Sequence, residues 1–515
     1  MKTAKKSKKL EKYTRYSIFV IVLFSIIVLS LTSIYHVSGD GCWHIPAGKF
    51  IADNLKFPLF EPLGRDEPFW SPPLYHIFVA AVYYFFSFNG NVANFAAKFV
   101  SPVFGILSLI FSFLLIKKLA NPKIAFYSTI FLAFIPIFID YSVLSYTESV
   151  LVFFVVLSIY FLAEDKIILS GIAAGLSILA KYNGVLVLPI LLYIAYKKYH
   201  NNKRFFYRNC AILVLATLVI ASPWLIRNWA LLGNPIWPFL NFIFHGFESK
   251  AYSQANFHNL IRLDLYESTY LGIFGVPDGN YAVFSFVKIQ NLWILIVAWL
   301  IGTLVFIAPL IAGLLKFKKF KSIKSDRNNY AVTALKIWVL FYVLLFMLYV
   351  INVGTLVSRI ILPAFPALAV FWAFGFEHLA ANFSGTAKKI LLALFLIAVI
   401  GLVASETIKV NIAANAWDKY KADFEWIKSN TDKKSVFIAN GQCVPYNIER
   451  TSLYSTSENL DKADYIWVNQ NLKLDSKSIL DERALKSIQS KNYKIVYSNK
   501  ETGTAIYGTK QQIFC

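Results

Sequence analysis

Asp40 stands a few residues beyond the first long apolar run, in Tyr35-His36-Val37-Ser38-Gly39-Asp40-Gly41-Cys42-Trp43-His44. A carboxylate placed where a membrane helix meets water can take a proton from a hydroxyl. His44 follows at i+4, the spacing at which two helical side chains meet. Further ionisable residues fall at the ends of apolar runs on the same side: Asp140, Glu148, Lys181, Arg227 and Arg359. Charges at the edge of a bilayer are costly and tend to have partners or work to do. The bases carry the most information, because outward-facing bases run against the usual cytoplasmic bias of positive charge. An outward-facing phosphate would account for them.

Each residue also has a plainer reading. Asp40 can cap the helix that follows it, and Thr147 or Glu148 can do the same for the next. Asp140 reads as a solvated helix end, and Lys181 and Arg227 can snorkel to the interface. Arg359 is harder to set aside. It opens Arg359-Ile360-Ile361-Leu362-Pro363-Ala364-Phe365-Pro366, where two prolines free backbone groups that need partners or water at that depth.

The elements that must position these residues are membrane helices. The chain has 515 residues, 57% of them hydrophobic, and a mean hydropathy of +0.54. Apolar runs of bilayer length fill most of the first 405 positions. The reading is a polytopic all-α membrane protein with about 11 spans. They run near 17–36, 96–118, 124–141, 147–163, 167–180, 182–197, 209–226, 289–315, 335–352, 360–378 and 388–406. The first apolar run is too long for a cleavable signal and reads as the first span.

The net charge of +22 is a topology signal rather than a nucleic-acid footprint. Lysine and arginine crowd into 2–15, 117–123, 197–208, 316–336 and 388–389, which puts those loops in the cytoplasm. The N-terminus is then cytoplasmic and the C-terminal part extracytoplasmic. The apolar stretch 73–88 is assigned to the outer interface, because counting it as a span would turn Lys117, Lys118 and Lys123 outward. Two large outer loops result, about 37–95 and 227–288, able to roof a cavity above the helices.

Composition shifts near 410. The runs 435–439, 465–469, 493–497 and 505–507 read as strands, and 418–429 and 479–490 as helices. The expected division is a membrane domain over 1–408 and a small soluble α/β domain over 409–515. The cysteines Cys42, Cys210, Cys443 and Cys515 match no zinc spacing. Cys443 and Cys515 could pair in an outward tail, but nothing in the sequence demands it. No cofactor is certain; a divalent metal is possible but not indicated.

These residues bring a family into view. The chain resembles the membrane glycosyltransferases of the GT-C fold, especially the protein O-mannosyltransferase and aminoarabinose-transferase branch. Asp40-Gly41 with His44 sits where that family places its first-loop acid. Ser71-Pro72-Pro73-Leu74-Tyr75 is similar to its His-Pro-Pro-Leu-Tyr segment, and Gly171 to Lys181 to its Gly-Leu-x-x-x-Lys helix end. Pro223-Trp224-Leu225-Ile226-Arg227-Asn228, Gly233-Asn234-Pro235 and the Arg359 to Pro366 stretch match later signatures. Ser71 and Glu148 depart from the His or Lys and the Asp of relatives, and no Asp-x-Asp triplet lies near Asp40 or Glu148.

The resemblance, over roughly 36–380, implies transfer of a sugar from a polyprenyl-phosphate carrier, dolichyl or undecaprenyl, to a protein, lipid or glycan acceptor at the outer face. Asp40 would be the base and Glu148 its helper. Lys181, Arg227 and Arg359 would hold the donor phosphate. His44, Trp43, Trp70, Tyr75 and His76 would line the sugar and acceptor pocket. One base opposite the leaving group implies inversion. Two other classes remain open. One is a transporter or flippase for lipid-linked saccharides, which midplane charges and inverted repeats would favour. The other is a non-catalytic relative whose C-terminal domain binds a surface partner.

Overall fold

The computed structural model describes chiefly residues 2–63, 68–247, 256–262, 303–316, 329–353 and 358–382, much of 385–410, and 417–439, 443–453, 462–469 and 493–508. Helices dominate: α1 (Lys2–Ile34), α2 (Gly41–Asn54), α3 (Leu74–Phe85), α4 (Gly90–Ala97), α5 (Val100–Leu119), α6 (Pro122–Phe134), α7 (Pro136–Val143), α8 (Glu148–Ala163), α9 (Ile167–Ala180), α10 (Val187–Tyr199) and α11 (Lys203–Leu232). They continue with α12 (Asn241–Phe244), α13 (Ala308–Lys316), α14 (Asn329–Val353), α15 (Phe365–Asn382), α16 (Lys421–Asn430) and α17 (Val444–Ile448). Among the described residues, Glu11–Ile34, Gly90–Leu119, Lys203–Leu232, Ala331–Ile351 and Ser358–Asn382 are each long and apolar enough to cross a membrane. The protein is a multi-pass membrane protein.

Where the observed elements differ from the sequence reading, local chemistry gives the reason. The run 124–141 is two helices bent by 62°. Ile135 precedes Pro136 and takes an extended conformation, φ −76 and ψ 124, because a following proline disfavours the helical region. The start of α6 is fixed by Asn121, whose Oδ1 accepts the backbone N–H of Lys123 at 2.9 Å and of Ile124 at 3.0 Å. The segment 182–197 opens with a 3-10 turn at Tyr182–Leu186 before α10, and 360–378 with another at Ser358–Ala364 before α15.

Helix α9 lies close against α11. A Cβ on Gly171 would meet the Leu213 carbonyl oxygen at 2.6 Å, and one on Gly175 the Thr217 carbonyl oxygen at 2.8 Å. Small residues one turn apart let two membrane helices approach in this way. Thr217 Oγ1 adds a hydrogen bond of 3.1 Å to the Gly171 carbonyl. This contact fixes the end of α9, and therefore Lys181.

The C-terminal part carries a five-stranded sheet, order β2-β1-β3-β5-β4. Its strands are β1 (Val436–Ala439), β2 (Thr451–Leu453), β3 (Tyr465–Asn469), β4 (Lys494–Asn499) and β5 (Thr504–Gly508). β1 runs parallel to β2 and β3, whereas β5 is antiparallel to β3 and β4. α16 is anchored to the β4–β5 hairpin by Asp423, fully buried. Its carboxylate accepts hydrogen bonds of 2.7 Å from Tyr497, Asn499, Thr502 and Thr504. The expected helix 479–490 lies outside the described residues.

The cysteine pairing that the sequence left open has a partner outside the tail. Cys443 pairs with Cys42, across a sequence separation of 401 residues; Cys515 lies outside the described residues. The reason is packing: α17 sits on the start of α2, so Cys443 meets the turn that carries Asp40. His36 Nε2 and Asn447 Oδ1, 3.1 Å apart, and the stacked rings of His36 and Trp417 extend the same contact.

Candidate functional site

The site is built on the turn after α1. Gly39 takes a positive φ of 54°, conformationally cheap for glycine, and turns the chain into α2. Asp40 occupies the N-cap position of α2, yet its side chain makes no capping hydrogen bond. The carboxylate instead meets Arg359, Oδ2 to Nη1, at 2.5 Å. Its backbone N–H donates to the Tyr146 hydroxyl at 3.0 Å. The Tyr146 ring lies 5.2 Å from the Arg359 guanidinium, so one tyrosine holds both partners.

Glu148 is the first residue of α8, where a helix N-terminus favours a negative charge. It is buried, and its Oε1 accepts from Lys181 Nζ at 2.6 Å and lies 3.4 Å from Arg359 Nε. Lys181 ends α9 in an extended conformation, φ −163 and ψ 140, which aims the side chain away from the helix it terminates. Arg359 comes from the turn before α15; the Pro363 carbonyl freed there accepts the Trp338 indole N–H at 2.9 Å. The result is a chain of alternating charge: Asp40, Arg359, Glu148, Lys181. Burial alone would raise the Asp40 carboxyl. The Arg359 guanidinium outweighs it and, with His44 and Lys181, holds that carboxyl well below the usual carboxylate range.

Asp40, Trp43, His44, Trp70, His76, Lys181 and Arg359 line one cavity of about 390 Å³. Glu148 lies behind it, bonded to the two cations. Tyr75 is fully buried behind His44, their rings 5.5 Å apart. Arg227 is elsewhere. Its guanidinium lies 4.5 Å from the Trp224 ring centroid, and it donates to the carbonyls of Phe69 at 3.1 Å and Pro58 at 2.8 Å. Its contacts tie together Pro58 and Phe69, two points of the segment between α2 and α3. Val185, Leu186, Ile236, Leu240 and Leu345 add apolar side chains to the same lining.

Sequence reasoning missed Tyr146 and Tyr182. The Tyr182 hydroxyl accepts from Trp224 Nε1 at 3.1 Å and Asn228 Nδ2 at 2.7 Å, and donates to the Trp70 carbonyl at 3.1 Å. It fixes the Trp70 wall of the cavity. Each tyrosine lies within two residues of a charged residue already singled out, and that adjacency was the signal available.

Residues 70–227 match the family described as dolichyl-phosphate-mannose-protein mannosyltransferase. No curated protein matches by sequence. Among solved structures, ArnT from Cupriavidus metallidurans in the apo state is similar with a TM-score of 0.60 at 11% identity, over 96% of this chain and 98% of that one. The archaeal oligosaccharyltransferase AglB from Archaeoglobus fulgidus, in complex with an inhibitory peptide and a dolichol-phosphate, gives 0.53 at 12%, over 98% and 75%. The arabinofuranosyltransferase AftD from Mycobacteria gives 0.54 at 12%, over 95% and 40%.

The chain has the GT-C fold. In that fold the family match ends at Arg227 and begins at Trp70, so it contains Glu148, Lys181 and the pocket residues Tyr75 and His76 but neither Asp40 nor Arg359. Those two are joined to it in space, by the ion pairs just described. Chemically, the GT-C cavity offers an ionised carboxylate and two cations within reach of one another, together with apolar side chains. Such a set can orient a hydroxyl and neutralise a phosphate.

Proposed function

We propose that the protein is a glycosyltransferase that moves a sugar from a polyprenyl-phosphate carrier to an acceptor hydroxyl at the extracytoplasmic face. The observation that carries the reading is the alternating chain Asp40–Arg359–Glu148–Lys181, three members of which, Asp40, Lys181 and Arg359, line a cavity together with apolar side chains. An isoprenoid phosphate combines the same two characters, an anionic head and an apolar tail. The complexes of ArnT with undecaprenyl phosphate and of AglB with dolichol-phosphate support a donor of this class.

In this reading the donor phosphate lies against Lys181 and Arg359, and draws part of the Arg359 charge away from Asp40. Asp40 then takes the proton of the acceptor hydroxyl. The oxygen attacks the anomeric carbon, the bond to phosphate breaks, and its electron pair stays on the phosphate. The leaving phosphate is a weak base and needs charge stabilisation rather than an acid. A single displacement of this kind inverts the anomeric centre. Glu148 holds Lys181 and Arg359 at the correct spacing. Arg227 serves the phosphate indirectly, by holding the outer loop over the cavity.

The Cys42–Cys443 disulfide supports the outward orientation of this end, since structural disulfides persist in oxidising compartments. About 11 spans, a cytoplasmic N-terminus and a membrane domain over 1–408 followed by a soluble domain over 409–515 complete the proposal. The test is purified protein in bilayers, given a radiolabelled polyprenyl-phosphate sugar and an extract of envelope acceptors. Label in an acceptor, lost in Asp40→Asn, is the expected result. Movement of the donor across the bilayer with no product would replace the transferase by a carrier.

A further inference from the structure

Two imidazoles, His44 and His76, line the same cavity as Asp40, and the bonds that the ion-pair chain leaves unexplained are theirs. His76, on the first turn of α3, is fully buried, with Nδ1 3.2 Å from the Pro72 carbonyl oxygen. Its Nε2 is 2.9 Å from His44 Nδ1. His44 lies on the first turn of α2 and donates its backbone N–H to the Asp40 carbonyl at 3.0 Å. Both imidazoles and Asp40 line the same cavity.

The proton positions follow from the partners. A carbonyl oxygen only accepts, so His76 Nδ1 carries the hydrogen and donates to Pro72. Burial pushes His76 well below the usual imidazole range, so the ring is neutral and its Nε2 is a bare acceptor. His44 Nδ1 therefore carries a hydrogen and donates to it. Burial also lowers His44, to about 4, against the opposing pull of Asp40 and Glu148, so His44 is neutral as well. Its Nε2 is then bare. A backbone carbonyl two rings away dictates which nitrogen of His44 offers a lone pair.

We propose that His44 and His76 form a relay that receives the proton Asp40 takes from the acceptor hydroxyl, with His44 Nε2 as the receiving atom and His76 as the residue that fixes its tautomer. This rests on the transferase reading above. The balance is simple. The acceptor O–H bond breaks and its electron pair forms the new bond to the anomeric carbon. The proton passes to the Asp40 carboxylate and on to His44 Nε2. The His44 imidazolium, facing Asp40 and Glu148 as counter-charges, returns it to the dianionic polyprenyl phosphate or to water as products leave. The bare Nε2 of the neutral His44 ring accepts the proton, and Asp40 returns to its ionised form.

The relay is tested by two measurements on the full-length protein in lipid bilayers. The first is the side-chain nitrogen resonance spectrum of histidine-labelled protein, with His44 assigned by its loss in His44→Gln. The proposal requires His44 protonated at Nδ1 and bare at Nε2 at neutral pH, and a shift toward the other tautomer in His76→Gln. The second is transfer kinetics with a polyprenyl-phosphate sugar. Both variants should lose about 10²-fold in kcat with the donor KM retained, and the acid limb of the kcat profile should move. The pH comparison holds Asp40, Glu148, Lys181, Arg359, Tyr75 and Tyr146 unchanged around the pair. His44 protonated at Nε2, or wild-type kcat in both variants, overturns the relay while leaving the transferase standing. No transfer by the wild-type protein would remove the transferase reading and the relay together.

Discussion

Arg359 offers the sharpest perturbation, because it touches both acids of the site. It lies 2.5 Å from Asp40 and 3.4 Å from Glu148, and the paired side chains are mostly removed from water, 18% exposed for Arg359 and 23% for Asp40. Taking charge centres about 4 Å apart and an effective dielectric near 20, the Asp40–Arg359 attraction is about 4 kcal/mol. Arg359→Gln removes it, along with one of the cations proposed for the phosphate. Loss of one such charge-stabilising group costs about 10²–10³-fold in rate. The pH dependence separates the two roles. Arg359 holds the Asp40 carboxyl below its usual range, so the carboxylate survives well into acid. Without the guanidinium its protonation begins at a higher pH. The acid limb of the kcat/KM profile in Arg359→Gln should therefore lie to the alkaline side of wild type. The stabilisation from the pair has the same sign. It is present at neutral pH and above, and is lost as pH falls through the depressed native value. Arg359→Lys should keep the acid limb near wild type, because the charge remains. It should still lose about tenfold in rate, because a point charge does not bridge two carboxylates as a planar fork does. The assay is transfer from a radiolabelled polyprenyl-phosphate sugar across pH. A rate loss in Arg359→Gln with an unmoved acid limb would show that Asp40 is not tuned by Arg359, and would refute the coupling.

Lys181→Met should raise the donor KM more than it lowers kcat and leave Glu148 short of its nearest cation; donor titration in the transfer assay measures both. Cys42→Ser should free the Cys443 thiol, and a membrane-impermeant maleimide should then label Cys443 on intact cells carrying no other outward thiol; labelling only after permeabilisation would reverse the proposed orientation. Asp423→Ala leaves four hydrogen-bond donors without their acceptor and should destabilise the C-terminal sheet by on the order of 3 kcal/mol or more, seen as earlier proteolysis between 417 and 508. Gly171→Val should force α9 from α11, since even a Cβ there meets the Leu213 carbonyl oxygen at 2.6 Å; the readout is a lower thermal midpoint in detergent together with weakened donor binding through displaced Lys181.

What the sequence disclosed about this site followed from cost. Asp40, Glu148, Lys181 and Arg359 stand out because ionised groups near hydrocarbon are expensive, and the resemblance of Gly171 to Lys181 and of Arg359 to Pro366 supplied their order. The helices were legible from their long apolar runs, and so were β1, β3, β4 and β5, from runs rich in β-branched and aromatic residues. β2 was not, because three residues between Arg450 and 454 give no period to read. The bend at Pro136 was missed because an apolar run reads the same across a break. The pairings lay beyond reach altogether. Asp40 meets Arg359 across 319 residues, and Cys42 meets Cys443 across 401; no local pattern encodes contacts set by which helices pack. The same limit hid the geometry of His44 and His76, though both were read as pocket residues. Their i+4 spacings, Asp40 to His44 and Pro72 to His76, are visible in the chain. That the two turns face each other is not, and it is the facing that sets the tautomer. A site of this kind is therefore read in two stages: the costly residues announce where chemistry can occur, and only their convergence decides which atom carries the proton.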